Sequence, residues 1–386
     1  MKLIKTQDNN GIRAPEDIPE EITPADEEIF SKITCFQLTP EQVKRITTPE
    51  SCFPSEKSLL AIHWHPEFVP MDVVRRRINA MFPNISESLI IPTQHNVLMP
   101  WNEFSGVEVD CYSSGFNQKV QLLLHFKNEN LQNADVLKSM LVHTFKYRSS
   151  QLFEYIHTIT APKEDWVNKA ANDTGSGASL ARFARIYVSK IKVLLDRNIH
   201  RIPQDAIKNK LIRDFFNELR PVYGDRLINR AQIYLTAVKQ IVKANFSNKY
   251  FYKTSEIIEE ARSLNAGIVI PHPEQFWPIL LADYDVDGYE VWNPQSRRYT
   301  EFLISVLNEK NKKRRPRQRE LLIFMGDDTH MSEKVKDPAH QDPVKASREI
   351  GVQTAWDDFS ICKQLICANI DKAKVIDEYR NRLMQS

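Results

Sequence analysis

Cysteine is scarce in this chain: five residues in 386 (Cys35, Cys52, Cys111, Cys362 and Cys367), odd in number and without a CxxC pair. That excludes a disulfide framework and a thiolate zinc knuckle, and leaves free thiols in a reducing compartment. Long apolar runs are missing too. No stretch approaches the roughly 20 apolar residues that span a bilayer, and the opening MKLIKTQDNNGIRAPEDIPEE lacks the apolar segment of a secretory signal. A soluble, cytoplasmic protein with no membrane partner is the expectation. Nor does one sign of charge prevail: 52 Lys and Arg against 50 Asp and Glu leave +2, so no whole-molecule field draws in a polyanion or a lipid surface. The glycine-containing stretch Asp173 to Ser179 (DTGSGAS) lacks the GK[ST] of a phosphate loop and reads as a turn ending in a helix cap. Any metal bound here must therefore be held by imidazole and carboxylate.

Histidine is what the strands supply. Leu59 to His65 (LLAIHWH) reads as a buried strand, and alternation sends His63 and His65 to one face while Trp64 packs the other way. An HxH pair alone means little. Later strand-like segments, however, deliver His95, Glu108, His125 and His272, and the last opens into Asp328 and His330. Six of the ten histidines thus sit at strand ends. Glu108 lies mid-strand in SGVEVDC, where an unpaired carboxylate would be costly unless it is neutral, hydrogen-bonded or bound to a cation.

Taken in order, residues 1–57 form an N-terminal extension with one short helix, TPEQVKRI, capped by Thr39 with Pro40 at its first position. Residues 58–130 alternate strand and helix: 59–65, a helix over 71–81, then strands 88–92, 105–111 and 119–125. Residues 131–252 carry long helical patterns. Between 130 and 262 there are 22 Lys and Arg against 13 Asp and Glu, so this insertion is basic. Strands resume over 253–335 with a helix at 255–263, GIVIP (267–271) before His272, YEVW (289–292), a helix at 301–311 and LLIFM (321–325). Residues 336–386 close the chain with a helical region in which Phe359, Cys362, Ile366 and Ile370 share a stripe that docks on the core or on a second copy. The basic run Lys310 to Arg319 (KNKKRRPRQR) reads first as a solvated loop, with phosphate binding as the other reading. His143, His157 and His200 fall in or beside helices, and His340 in a polar loop, where packing or solvation explains them.

So many nitrogen and carboxylate donors exceed the needs of one tetrahedral ion and suit two or three Zn, Mn or Fe ions better than Mg. Such clusters bridge a hydroxide of lowered pKa and clamp phosphoryl oxygens, so the implied chemistry is phosphoester hydrolysis. The order of motifs resembles the polymerase and histidinol phosphatase (PHP) family of metal-dependent phosphoesterases: HWH (63–65), TQHN (93–96), GVE (106–108), LLLH (122–125), GIVIPHP (267–273) and GDDTH (326–330). The resemblance covers residues 58–128 and 255–335. It implies a distorted (β/α)7 barrel, here carrying an all-α insertion. It also implies one metal on His63, His65, Glu108 and Asp328, with Glu108 bridging to a second on His125 and His272. A third falls to His95 and His330 with a ligand from the loop after HWH, where Glu67 and Asp72 are the candidates. His63, His65, Glu108, Asp328 and His330 are the expected catalytic set. Gln94 stands where the family pattern has Asp, and Asp327 where it has a small residue. Glu290 is expected to play a structural part beside the site, and Arg297 and Arg298 are candidates for reaching a substrate phosphate.

The expected substrate is a phosphomonoester or phosphodiester, with a nucleotide or nucleic acid favoured by the basic insertion. A degenerate barrel that binds nucleic acid or protein within a larger complex is the alternative. A metal-dependent amidohydrolase is a third reading, weakened because no lysine sits at a strand end to form a bridging carbamate.

Overall fold

The computed structural model describes residues 14, 15, 17–315, 318–338 and 341–385; His340 and residues 1–13 of the N-terminal extension lie outside the described residues. The chain divides into two compact units: residues up to Gln37 with Lys146–Ser247, and Leu38–Phe145 with Asn248–Ser386.

The first unit is helical, built from α1 (Pro24–Thr34), α5 (Tyr147–Thr160), α6 (Glu164–Thr174), α7 (Ala178–Asn198), α8 (Lys210–Glu218) and α9 (Arg220–Asn245). Its core follows from three-and-four spacing: on α7, Leu180, Phe183, Ala184, Tyr187, Val188, Ile191, Leu194 and Leu195 are all buried. Thr23 caps α1 in a reciprocal box with Asp26. The same Asp26 carboxylate accepts from Lys190 Nζ at 2.8 Å, a buried ion pair that fixes α1 on α7.

The second unit holds the ten strands found among the described residues and is mixed α/β. A parallel pair joins β1 (Ser58–Ala61) to β3 (Glu87–Ile90), and a second joins β2 (Trp64–His65) to β10 (Thr329–His330). The main sheet has six strands in the order β4 (Met99–Trp101), β5 (Phe104–Ser113), β6 (Gln118–Lys127), β7 (Gly267–Ile270), β8 (Gly288–Trp292) and β9 (Leu322–Met325). These ladders do not close into a barrel among the described residues. Regular alternation of strand and helix also needs correction: β5 and β6 form an antiparallel hairpin, and β6 meets β7 antiparallel as well. Four residues link β5 to β6, far too few for a parallel crossover.

Around these strands lie α2 (Pro40–Thr47), α3 (Met71–Met81), α4 (Asp135–Phe145), α10 (Thr254–Ser263), α11 (Thr300–Lys312), α12 (Met331–Val335), α13 (Pro343–Ala346), α14 (Phe359–Cys367) and α15 (Lys372–Met384). Thr39 caps α2 through a box with Gln42, as its sequence predicts. Trp64 is fully buried in an apolar cluster with Ile46, Val74 and Met331, and meets Trp101 edge-on at 5.7 Å. The terminal stripe differs from its expectation. On α14 the inward pair is Ile361 and Leu365, while Phe359 and Ile366 are 89% and 74% exposed. No helix among the described residues is long and apolar enough to cross a membrane.

Candidate metal centre

The site is assembled by loops that leave the strands. The strand carrying HWH breaks at Ile62 and His63 because it changes partner there: Ala61 pairs with Ile90, whereas Trp64 pairs with Thr329. At the break, the His63 carbonyl accepts the Asp328 N–H at 2.9 Å. The GVE glycine has an equally local cause. An added Cβ at Gly106 would overlap the Pro92 carbonyl, so only glycine lets β5 lie against the end of β3. Asn96 turns the TQHN loop in the left-handed region (φ 56°) and brackets Asp110, donating to its carboxylate at 2.7 Å and accepting its N–H at 2.9 Å. Glu67, His272 and Asp328 are left-handed too, with φ of 52°, 32° and 47°. Each such non-glycine residue costs about 1–3 kcal/mol, and their concentration around one point marks a functional site.

Glu108, buried on β5, is the centre. Its Oε1 lies 3.8 Å from His63 Nε2 and 3.4 Å from His272 Nε2; its Oε2 lies 3.7 Å from His65 Nε2 and 2.5 Å from His95 Nδ1. Asp328 Oδ1 faces three imidazoles, at 3.7 Å from His63 Nε2 and 3.4 Å from both His65 Nε2 and His330 Nε2. The His65 ring stacks with His95, centroids 4.4 Å apart, and with His330 at 4.3 Å, and those two rings are themselves 5.9 Å apart.

A second layer orients these groups. Glu290 Oε1 meets His63 Nδ1 at 2.5 Å and its Oε2 accepts the His272 N–H at 2.9 Å, which turns His63 Nε2 toward the cluster. Gly326 is required beside it, since a Cβ there would overlap the Glu290 carboxylate. Asp328 Oδ2 accepts from buried Arg348 at 2.7 Å and from Gln295 at 3.2 Å, leaving Oδ1 for the imidazoles. Glu67 Oε2 accepts the Ser332 N–H at 2.8 Å, and its Oε1 stands 3.6 Å from His330 Nδ1. Gln94 accepts the Glu67 N–H at 3.1 Å and so holds the loop after HWH.

The electrostatics are those of carboxylates gathered to receive positive charge. Burial pushes Glu108 upward, but His95, His272 and His65 outweigh it and hold its carboxyl well below the usual range. Asp328 is likewise held low, against burial, by His330, His65 and His63. Burial would depress His63, yet the carboxylates of Glu290, Asp328 and Glu108 raise it to about 10. His330 rises to about 9 against burial, through Asp328 and Glu67. His65 goes the other way, down to about 3, through burial and the positive charge of His330 and His95.

The donors fit a divalent metal. Buried polar atoms in native proteins almost always have partners. Here His63 Nε2, both ring nitrogens of His65, His95 Nδ1 and Glu108 Oε2 are buried with no hydrogen bond. His95 Nδ1 and Glu108 Oε2 lie close but not aligned as one. Two overlapping sets, His63 with His65 and Glu108, and His65 with His95 and His330, each offer ligand atoms within 4.8 Å of one another.

Seven of the eight expected ligands, His63, His65, His95, Glu108, His272, Asp328 and His330, are therefore brought together. His125 is not. Its Nδ1 meets the Tyr379 hydroxyl at 2.7 Å and its Nε2 the Ile62 carbonyl at 3.0 Å, so both nitrogens are spent on the protein. The expectation that it ligates a second ion is corrected accordingly. Asp72 is exposed on α3 and pairs with Arg76, which leaves Glu67 as the loop carboxylate at the cluster. Arg297 bonds Thr354 and Arg298 lies over the Tyr299 ring, so neither meets a cluster residue in these contacts. Arg348 and Gln295 were not legible from sequence; neither belongs to a motif or a strand end.

No protein-family model matches the chain, and no curated protein matches it. Among solved structures, a candidate metal-dependent phosphoesterase from Bifidobacterium adolescentis is similar over 83% of this chain and 99% of its own, at 15% sequence identity and a TM-score of 0.43.

Proposed function

We propose that this chain is a metal-dependent phosphoesterase of the PHP type that hydrolyses a phosphomonoester or phosphodiester. The observation that carries the reading is Glu108, whose two oxygens face separate pairs of imidazoles, His63 with His272 and His65 with His95. A carboxylate so placed is suited to bridge two cations, and the nitrogen-rich donors favour Zn, Mn or Fe. When bound, such ions supply Lewis acidity toward a phosphoryl oxygen and a water of lowered pKa. The chain's own residues do the rest. Glu290 fixes the ring of His63, Arg348 and Gln295 fix Asp328, and Glu67 stands beside His330.

The distorted (β/α)7 barrel belongs to the same proposal. Links between the three ladders support it: Asp328 N–H to the His63 carbonyl, and the isolated bridge between His95 and Glu108. The basic helical segment favours a nucleotide or nucleic acid as substrate. A second reading, a barrel that binds rather than cleaves, draws on Gln94 and His125, two family positions turned to structural use.

Hydrolysis of p-nitrophenyl phosphate and its diester analogue, with Mn or Zn supplied, tests the proposal. Turnover abolished by His63→Ala and by Asp328→Ala supports it. A protein that binds metal yet stays inert on both substrates and on oligonucleotides favours the binding module, and one that neither binds metal nor turns over defeats both.

A further inference from the structure

A cavity of about 540 Å³ opens in the strand unit, lined among others by Arg262, Arg314, Arg319, Arg382, Asp283 and Asp285. It lies at the other end of β7 from His272 of the cluster. Gly267 and Asp287, at the N-terminal ends of β7 and β8, line it, whereas His272 follows the C-terminal end of β7. Four residues of strand separate the two by about 13 Å.

The four arginines are not equivalent. Arg262 spends Nε, Nη1 and Nη2 on the carboxylates of Asp285 and Asp287 and on backbone carbonyls. Arg382 donates to Glu378 from Nε and lies against Asp287. These two neutralise Asp285 and Asp287. Among the described residues the Arg314 guanidinium makes one hydrogen bond, from Nη1 to the Arg319 carbonyl, and that of Arg319 makes one, from Nη2 to Gln385 at 2.7 Å. A guanidinium carries five N–H donors, so both retain most of theirs without a hydrogen bond among the described residues. Both belong to the basic run Lys310 to Arg319. A run that sequence alone reads as a solvated loop contributes to the wall of a cavity.

We propose that this cavity is a second binding site, taking the phosphate group of a small molecule of nucleotide size on Arg314 and Arg319. Paired guanidinium forks match phosphate oxygens in number and geometry. The volume falls within the range of small-molecule sites. Asp283, Asn265 and Gln318 also line the cavity and supply hydrogen-bonding groups for a hydroxylated or nitrogenous remainder. No residue is shared with the metal cluster, so the site stands whether or not the chain is a phosphoesterase.

Isothermal titration of dialysed, metal-free full chain at low ionic strength, with AMP and separately with inorganic phosphate, tests it. Saturable one-to-one binding of at least one probe is expected, weakened at least about tenfold in an Arg314→Ala/Arg319→Ala double variant and unchanged in His63→Ala. Arg319 is exposed and Arg314 half-buried, so the double variant should keep the parent melting temperature. No saturable binding of either probe overturns the proposal. So does binding that survives the double substitution, binding lost in His63→Ala, or binding of a 5′-phosphorylated oligonucleotide alone.

Discussion

Glu290 holds His63 by the ring nitrogen that faces away from the cluster: Oε1 lies 2.5 Å from Nδ1, and the opposite nitrogen, Nε2, is buried without a hydrogen bond. A carboxylate behind a ligating imidazole fixes both its tautomer and its orientation. Glu290→Gln keeps the volume and removes the charge. Metal affinity, followed by competition with a chromogenic chelator, should fall about 10- to 100-fold while the fold persists. Unchanged affinity would show that His63 is not oriented through Glu290.

His125 and His272 should separate. His272→Ala removes a nitrogen 3.4 Å from Glu108 and should lower the number of ions retained after dialysis, read by elemental analysis. Tyr379→Phe strands His125 Nδ1 in a buried position and should cost about 1–3 kcal/mol in denaturant unfolding, with the ion count unchanged. An ion lost with Tyr379→Phe would return His125 to the ligand set.

Arg348 and Asp328 form a buried pair at 2.7 Å. Arg348→Met removes the cation from Oδ2 while protonated His63 and His330 stay beside Oδ1, and should destabilise the metal-free protein by about 1–3 kcal/mol. Added Zn or Mn restores positive charge beside Asp328 and should recover part of that loss. If metal recovers none of it, Asp328 is not a ligand.

Protons compete with metal at this site. In the metal-free protein His63 is raised to about 10 and His330 to about 9, both from 6.5. Their protonation stabilises the fold fully below pH 6.5, and that contribution is lost as pH rises through 9 to 10. The melting temperature of metal-free protein should therefore decline across that window. Metal affinity should climb over the same interval, with protons released on binding. A metal-free melting temperature that is flat from pH 7 to 10 would contradict the proton-held cluster.

Much of the site was legible in the sequence because its donors are tied to strand ends, where an HxH or a GxE has only one or two geometries open to it. Seven of eight expected ligands converge for that reason. His125 shows the limit: its place at a strand end was readable, but its partners come from Tyr379, 254 positions away, and from a carbonyl. Arg348 and Gln295 are not legible in the sequence because contacts made from irregular backbone leave no period. The individual strands lie close to their expected bounds, yet the expected alternation does not include the β5–β6 hairpin, although the link Ser114-Gly115-Phe116-Asn117 leaves no room for a crossover. On α14 an apolar residue occurs on every side, and periodicity could not say which pair turns inward.

The most direct test of the central idea is anomalous diffraction from crystals grown with Zn or Mn. Peaks are predicted within ligand distance of Glu108, one beside His63 and His272 and another beside His65 and His95. A map without a peak at Glu108, in crystals whose mother liquor holds the metal, would contradict it.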